Sequence, residues 1–219
     1  MSIAQNLLEI KQSLPENVTL VAVSKTKPVS DILEAYHAGQ RVFGENKIQE
    51  MAEKQELLPK DIEWHMIGHV QTNKIKYMAS FVHLIHGVDS LKLLKEINKQ
   101  AKKHSRTINC LLQIKIAEED SKFGMSANDA RELLASDTFK NLENINAVGV
   151  MGMATFTDDN VQIKSEFSKL KAIFDELRIK HPQFSIISMG MSSDYELAIA
   201  CGSNMIRVGS NIFGERNYN

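Results

Sequence analysis

The chain has 219 residues and a net charge of −1, with 43% hydrophobic and 24% charged residues, 4 Pro and 11 Gly. That length gives one sizeable core and falls short of two comfortable domains, and the balance excludes disordered, collagen-like and low-complexity readings. No basic excess points to nucleic acid, no apolar run approaches the ~18 residues of a membrane span, and Cys110 and Cys201 stand too far apart for a zinc knuckle or disulfide framework, which fits a reducing, cytoplasmic setting.

The start, Met1 to Asn6, lacks the basic and long apolar regions of a signal peptide. Ile3, Leu7, Leu8, Ile10 and Leu14 predict an extra amphipathic N-terminal helix. A β-rich run, Val18–Val23, follows and ends at Ser24 to Pro28. A helical pattern with Ile32, Leu33 and Tyr36 on one face then stops at Gly39. The unit recurs: Arg41–Phe43 leads to a helix through Ile48, Met51 and Ala52, and Ile62–Ile67 leads through Gly68 to a shorter helix. Phe81–Ile85 leads through Gly87 to Leu91, Leu94, Ile97 and Ala101. Ile108–Ile116 is a long apolar strand, and Ser126 with Asp129 marks the next helix start. Ile145–Val150, Phe184–Ile187 and Asn204–Val208 complete the strands, with helices around Phe167 to Leu177 and from near Ser193. The charged run Glu118, Glu119, Asp120 reads as a solvated loop.

Eight strand-then-helix units imply parallel strands, because each strand must be re-entered from the same end through a crossover. Runs such as Val18–Val23, apolar on both faces, fit strands covered on both sides. The expected architecture is α/β: a single (β/α)8 TIM barrel over residues 1–219, with a doubly wound open sheet as the alternative. Eight units use essentially the whole length and leave no room for a second domain.

In either architecture ligands bind where the strands end. The residues there are Lys25, Asn46, His65, Gly68, Met151, Met153, Gly190, Ser192, Ser193, Arg207, Gly209 and Ser210. Lys25 is in phase with Val21 and Val23, so it shares their side of the strand. Burial there lowers an amine's pKa and frees it to attack a carbonyl; otherwise the lysine snorkels to solvent. The loops Ser188–Asp194 and Val208–Gly214 follow the last two strands, where barrels often hold phosphate. Glycines there allow close approach, and free amides and serine hydroxyls donate to phosphate oxygens. Ser193 with Glu196 also spells a capping box. Neither loop carries a dinucleotide, Walker or GxSxG pattern. Arg207 interrupts an apolar run and needs a partner, a ligand atom or an internal ion pair, unless it faces solvent. His65 and His69 lack a metal-binding context, and Met151, Met153, Met189 and Met191 are expected around the barrel mouth. A lysine, a phosphate cradle and an arginine at one mouth suit an aldehyde-bearing phosphate, met equally by pyridoxal 5'-phosphate (PLP) and by the substrate of a phosphosugar Schiff-base aldolase.

Several segments resemble the pyridoxal phosphate homeostasis protein family: Ala22–Pro28, Phe43–Asn46 with Gln49 and Glu50, and Trp64–Gly68 with Gln71, Asn73 and Lys74. Gly149–Met153, Ser188–Asp194 and Arg207–Gly214 do likewise. The resemblance spans nearly the whole chain in order. It implies a barrel of the alanine racemase N-terminal type that carries PLP as a Schiff base on Lys25. Arg207 would face the ring nitrogen, Asn46 would line the ring, and Ser192, Gly209 and Ser210 would hold the phosphate. With Ser193 these make the implied cofactor-binding set. Ser210-Asn211 departs from the family's more usual Thr-Ala. The implied role is intracellular PLP homeostasis, meaning binding, buffering or delivery of this vitamin B6 cofactor without established turnover. Its partners would be apo PLP-dependent enzymes as acceptors, and its state a monomer or weak dimer. The alternative is a PLP-dependent enzyme of racemase type acting on a small amino acid, which needs acid/base groups on both faces of the substrate. Lys25 could serve one face; Tyr195 and Tyr218 are the late tyrosines, and neither is placed by a motif. An aldolase-like enzyme is a third reading.

Overall fold

A computed structural model describes residues 2–118 and 123–215. Glu119, Asp120 and Tyr218 lie outside the described residues. Eight parallel strands close into a barrel in chain order: β1 (Thr19–Val23), β2 (Val42–Glu45), β3 (Glu63–Met66), β4 (Leu84–Val88), β5 (Ile108–Gln113), β6 (Ile145–Met151), β7 (Ile186–Met191) and β8 (Met205–Val208). Closure is made by β1 on β8, with Val21 opposite Arg207 and Ala22 opposite Val208.

The helices are α1 (Ile3–Ser13), α2 (Val29–His37), α3 (Ile48–Leu57), α4 (Leu91–Lys103), α5 (Ala127–Ala135), α6 (Asp137–Lys140), α7 (Asn160–Lys180), α8 (Tyr195–Ala200) and α9 (Ser210–Phe213), with a 3-10 helix at Thr72–Tyr77. The expected N-terminal helix is α1, capped by Ser2, whose hydroxyl accepts from Gln5 N. Ser126 and Asp129 form the expected capping box on α5.

Side-chain alternation sorts the strands into two cores. Val21, Leu84, Leu111, Val148, Met151 and Met205 fill the barrel axis. Residues in the opposite phase, such as Ala22, Phe43, Trp64 and Ile206, pack against the helical shell. Among the described residues no helix is long and apolar enough to cross a membrane. Both cysteines are free.

Four local expectations need correction. β4 begins at Leu84, not Phe81, because Phe81 and Val82 donate to Met78 O and finish the 3-10 turn. β5 stops at Gln113 because Met125 folds back, accepting from Lys115 N and donating to Gln113 O. β7 runs from Ile186 through Met191, so Ser188 and Gly190 are strand residues and not loop residues. Met189 is fully buried in the outer core and does not pack at the mouth, whereas Met153 and Met191 do line it.

Candidate functional site

At the C-terminal ends of the strands lies a cleft of about 520 Å³, within the usual range for small-molecule sites. Lys25, Asn46, Ser192, Ser193, Arg207, Gly209 and Ser210 all line it, brought together from the ends of β1, β2, β7 and β8. Gly68 and Lys27 line it too, and Lys27 Nζ donates to Phe213 O at 2.7 Å. Three residues expected among the ligand-facing strand ends do not line the cleft. Met151 belongs to the barrel axis, and Gly190 sits in β7 with φ 97°. His65 is 2% exposed inside the barrel.

Lys25 follows β1 on a tight turn closed by Lys27 N donating to Ser24 O at 3.1 Å. The next residue, Thr26, has φ 64°, a left-handed conformation that L-residues with branched Cβ adopt only under constraint. The constraint comes from behind. Thr26 N donates to Glu50 Oε1 at 2.6 Å, and Lys54 Nζ donates to Glu50 Oε1, Glu45 Oε1 and Ser24 O at 2.7, 2.7 and 2.8 Å. Ser24 Oγ donates to Glu45 Oε1 at 2.6 Å. Burial pushes the Glu45 carboxyl up against the opposing pull of Lys54 and Ser24, and its Oε2 has no hydrogen-bond partner. Glu45, Glu50 and Lys54 therefore fix the lysine turn; Glu45 and Glu50 lie in segments that carry the family resemblance, but no local pattern gave them or Lys54 this role.

Arg207 reaches the cleft from within the barrel and is 4% exposed. Its Nη1 donates to Ser188 Oγ at 2.7 Å and its Nη2 to Gly152 O at 3.1 Å. Burial pushes its guanidinium down to about 10, with Asp194 acting the other way, so it remains charged at neutral pH. Ser188 Oγ lies 3.1 Å from His86 Nδ1, and His86 Nε2 lies 3.0 Å from His65 Nδ1. An arginine can only donate, so Ser188 accepts from it and its hydroxyl proton is available for His86 Nδ1. When Ser188 donates that proton, His86 carries its own on Nε2 and donates to His65 Nδ1, and the His65 proton sits on Nε2. Burial holds both rings neutral: it pushes His65 down to about 3 and His86 well below the usual imidazole range. A directional polar chain thus runs down the barrel axis from Arg207. Ser188 and His86 were missed as site residues; their signal was a polar side chain inside an apolar strand.

The opposite wall is built from Ser192, Ser193, Gly209 and Ser210. Gly209 N donates to Ser192 Oγ at 3.1 Å, tying the two loops together. The amides of Ser210 and Asn211 precede the first helical bond of α9, which runs from Ile212 N to Gly209 O. The expected Ser193 and Glu196 capping box does not form. Asp194 takes the N-cap position of α8 and its Oδ1 accepts from Met191 N at 2.5 Å, which leaves Ser193 exposed toward the cleft. At the second wall, Gly68 allows the chain to approach Asn46: a Cβ there would stand 2.4 Å from Asn46 O. Gln113, His69, Phe123 and Phe156 complete the rim.

A closed parallel barrel with lysine, arginine and a serine–glycine cradle on one mouth defines a barrel of the alanine racemase N-terminal type. The family model described as alanine racemase, N-terminal domain, matches residues 1–217. The pyridoxal phosphate homeostasis protein of Pasteurella multocida is 40% identical over 233 residues, covering 100% of this chain and 99% of that one. PipY of Synechococcus elongatus, in its structure with PLP bound, is 35% identical with a TM-score of 0.89, covering 97% of this chain and 100% of that one. An alanine racemase of Clostridium difficile shares the fold alone, at 17% identity and a TM-score of 0.80, and this chain covers 57% of it. The chain belongs to the pyridoxal phosphate homeostasis protein family.

Proposed function

We infer that this protein binds pyridoxal 5'-phosphate in the cleft and serves its homeostasis by holding, buffering or delivering it. The observation that carries the reading is the convergence of Lys25, Arg207 and the Ser192–Ser210 cradle on one cavity. The donor set suits the group: an amine for the aldehyde, a guanidinium for the ring nitrogen, and hydroxyls and amides for the phosphate. PLP bound there supplies an aldehyde that a lysine amine captures covalently.

The residues divide the work. Lys25 anchors, on a turn that Glu50 and Lys54 hold rigid. Arg207, a permanent donor, would face the ring nitrogen and keep it unprotonated, which would weaken the cofactor as an electron sink. Ser192, Ser193, Gly209 and Ser210 would hold the phosphate, and Asn46 would line the ring. Apo PLP-dependent enzymes are the acceptors this reading implies, in the cytoplasm, with the protein a monomer or weak dimer. Purified protein should absorb in the violet-to-blue range, and borohydride should fix the cofactor on Lys25. A Lys25→Ala variant should be colourless; equal colour with cofactor fixed elsewhere would overturn the assignment.

A racemase-type enzyme acting on a small amino acid is the second reading. One observation favours it: His69, stacked on Phe123 at 4.4 Å and with Nδ1 3.7 Å from Asp89 Oδ2, gives the cleft an imidazole besides the Lys25 amine. Tyr195, the late tyrosine within the described residues, does not line the cleft. Incubating the holoprotein with alanine or serine in deuterated water separates the two readings. Sustained exchange at Cα indicates turnover, whereas transfer of PLP to an apo-enzyme faster than free release indicates delivery.

A further inference from the structure

The far end of the polar chain, at the N-terminal mouth of the barrel, has chemistry of its own. Glu63 opens β3, His65 follows two residues later in the same phase, and His83 immediately precedes β4, which pairs with β3. One ligand atom from each of these three residues lies within 4.8 Å of the others. His83 Nε2 is 3.6 Å from Glu63 Oε2, and the His65 and His83 rings stack at 5.6 Å with 12° between their planes. His65 is 2% exposed; its Nδ1 is engaged by His86, and its Nε2 has no hydrogen-bond partner.

We propose that Glu63, His65 and His83 form a site for a divalent transition cation of the zinc type, through two imidazole nitrogens and one carboxylate, with water in the fourth position. Bonds of about 2.0–2.2 Å at tetrahedral angles set ligand atoms roughly 3.3–3.6 Å apart. The His83–Glu63 separation already meets that spacing, and both side chains are about half exposed, free to turn toward a fixed His65. His65 is also kept neutral by its burial, the state in which imidazole ligates. A ligating histidine normally donates its other N–H to a neighbour, and here that neighbour is His86.

Cation binding has a readable consequence. Coordination through His65 Nε2 moves its proton to Nδ1, which then donates to His86 Nε2. His86 in turn carries its proton on Nδ1 and donates to Ser188 Oγ. Each ring keeps one proton, so none is gained or lost overall; the His65–His86 and His86–Ser188 bonds reverse direction, while Ser188 still accepts from Arg207 and its own hydroxyl proton turns away from His86.

The test is zinc titration of the holoprotein, by equilibrium dialysis with metal analysis and by nitrogen NMR of the imidazoles. The proposal expects saturable binding that His83→Ala and Glu63→Gln each weaken by about tenfold or more, given that even outer-shell changes cost 10–100-fold. It also expects the protonated nitrogen of His65 and His86 to switch from Nε2 to Nδ1. Both substitutions are at half-exposed rim positions, and circular dichroism checks that the variants fold. Absence of saturable binding at millimolar zinc would overturn the proposal. So would binding unchanged in both variants, or a zinc-saturated protein whose His65 and His86 signals stay put.

Discussion

The amide of Thr26 donates to Glu50 Oε1 at 2.6 Å, and this bond holds a β-branched residue at φ 64° directly after Lys25. Left-handed backbone of this kind costs about 1–3 kcal/mol and persists only where its surroundings impose it. Glu50 is held in turn by Lys54, which also grips Ser24 O at the start of the same turn. The direction in which Lys25 enters the cleft is therefore set by α3, not by β1 alone.

Replacing Glu50 by alanine removes two charge-assisted bonds, from Thr26 N and Lys54 Nζ, at a partly exposed position, a loss of about 1–2 kcal/mol. Urea unfolding should show that decrease, and dialysis should show faster loss of PLP from Glu50→Ala than from wild type. Thr26→Gly should be close to neutral on both measures, because glycine adopts the same φ without strain. If Glu50→Ala keeps its cofactor as well as wild type does, the clamp does not position Lys25.

Ser188 joins Arg207 to His86, at 2.7 Å and 3.1 Å. Ser188→Ala leaves a buried guanidinium donor and a buried imidazole nitrogen unpaired. Each orphaned group costs about 1–3 kcal/mol, more for the charged one. A stability loss of at least ~2 kcal/mol is expected, read from the urea midpoint at unchanged slope. The visible band of the bound cofactor should also shift, because Arg207 loses the contact that fixes Nη1.

How much of this was legible depends on distance along the chain. Lys25 and the serine–glycine loops could be found because strand ends are local and strand parity is local: Val21, Val23 and Lys25 need no partner to be placed in phase. His86 bonds to Ser188 across 102 residues, and Lys54 to Ser24 across 30, so neither pairing could be reached by spacing. The misplaced ends of β4 and β7 deepened the gap. A strand taken to end at Ile85 puts His86 in a loop, and one taken to end at Ile187 does the same to Ser188, when both point into the barrel. The Ser193 capping box failed for a tertiary reason: the turn after β7 gave the N-cap place to Asp194 and turned Ser193 to the cleft.

Gly190 supplies the bend that carries β7 into the cradle loop. At φ 97° a side chain is strained, and a Cβ would stand 2.7 Å from Ala198 Cβ and 2.9 Å from Tyr195 Cα. Gly190→Ala must push α8 away from the barrel, and Ser192 and Ser193 with it. A penalty of about 2 kcal/mol lowers Tm by roughly 4–8 °C for a chain of this size. Weaker retention of PLP should accompany it, since the phosphate wall moves. A variant with wild-type Tm and cofactor retention would show that α8 yields without cost.

Glu166 gives the cleft an acid-sensitive hinge. Sitting on α7, it accepts from Thr155 N and Thr155 Oγ1, each at 2.7 Å, from Glu118 N at 3.2 Å and from Gln162 Nε2 at 3.3 Å. It thereby ties the segment after β5 to the segment after β6, which carries the cleft residues Met153 and Phe156. Burial pushes the carboxyl up, but the hydrogen bonds from Thr155, Gln162 and Glu118 together outweigh it and hold the group below its usual range. A carboxyl whose folded pKa lies below its unfolded one adds stability that is complete above the unfolded pKa of about 4.3 and is lost as pH falls through the folded value. Glu166→Gln presents an amide whose NH2 cannot accept from Thr155 N, so it should be less stable than wild type by about 1–2 kcal/mol at pH 7. That difference should shrink steadily below about pH 4.3, because acid removes from wild type the same bonds the substitution has already removed. Urea unfolding of both proteins between pH 7 and pH 3 measures it, and parallel curves across that range would refute a role for the Glu166 charge.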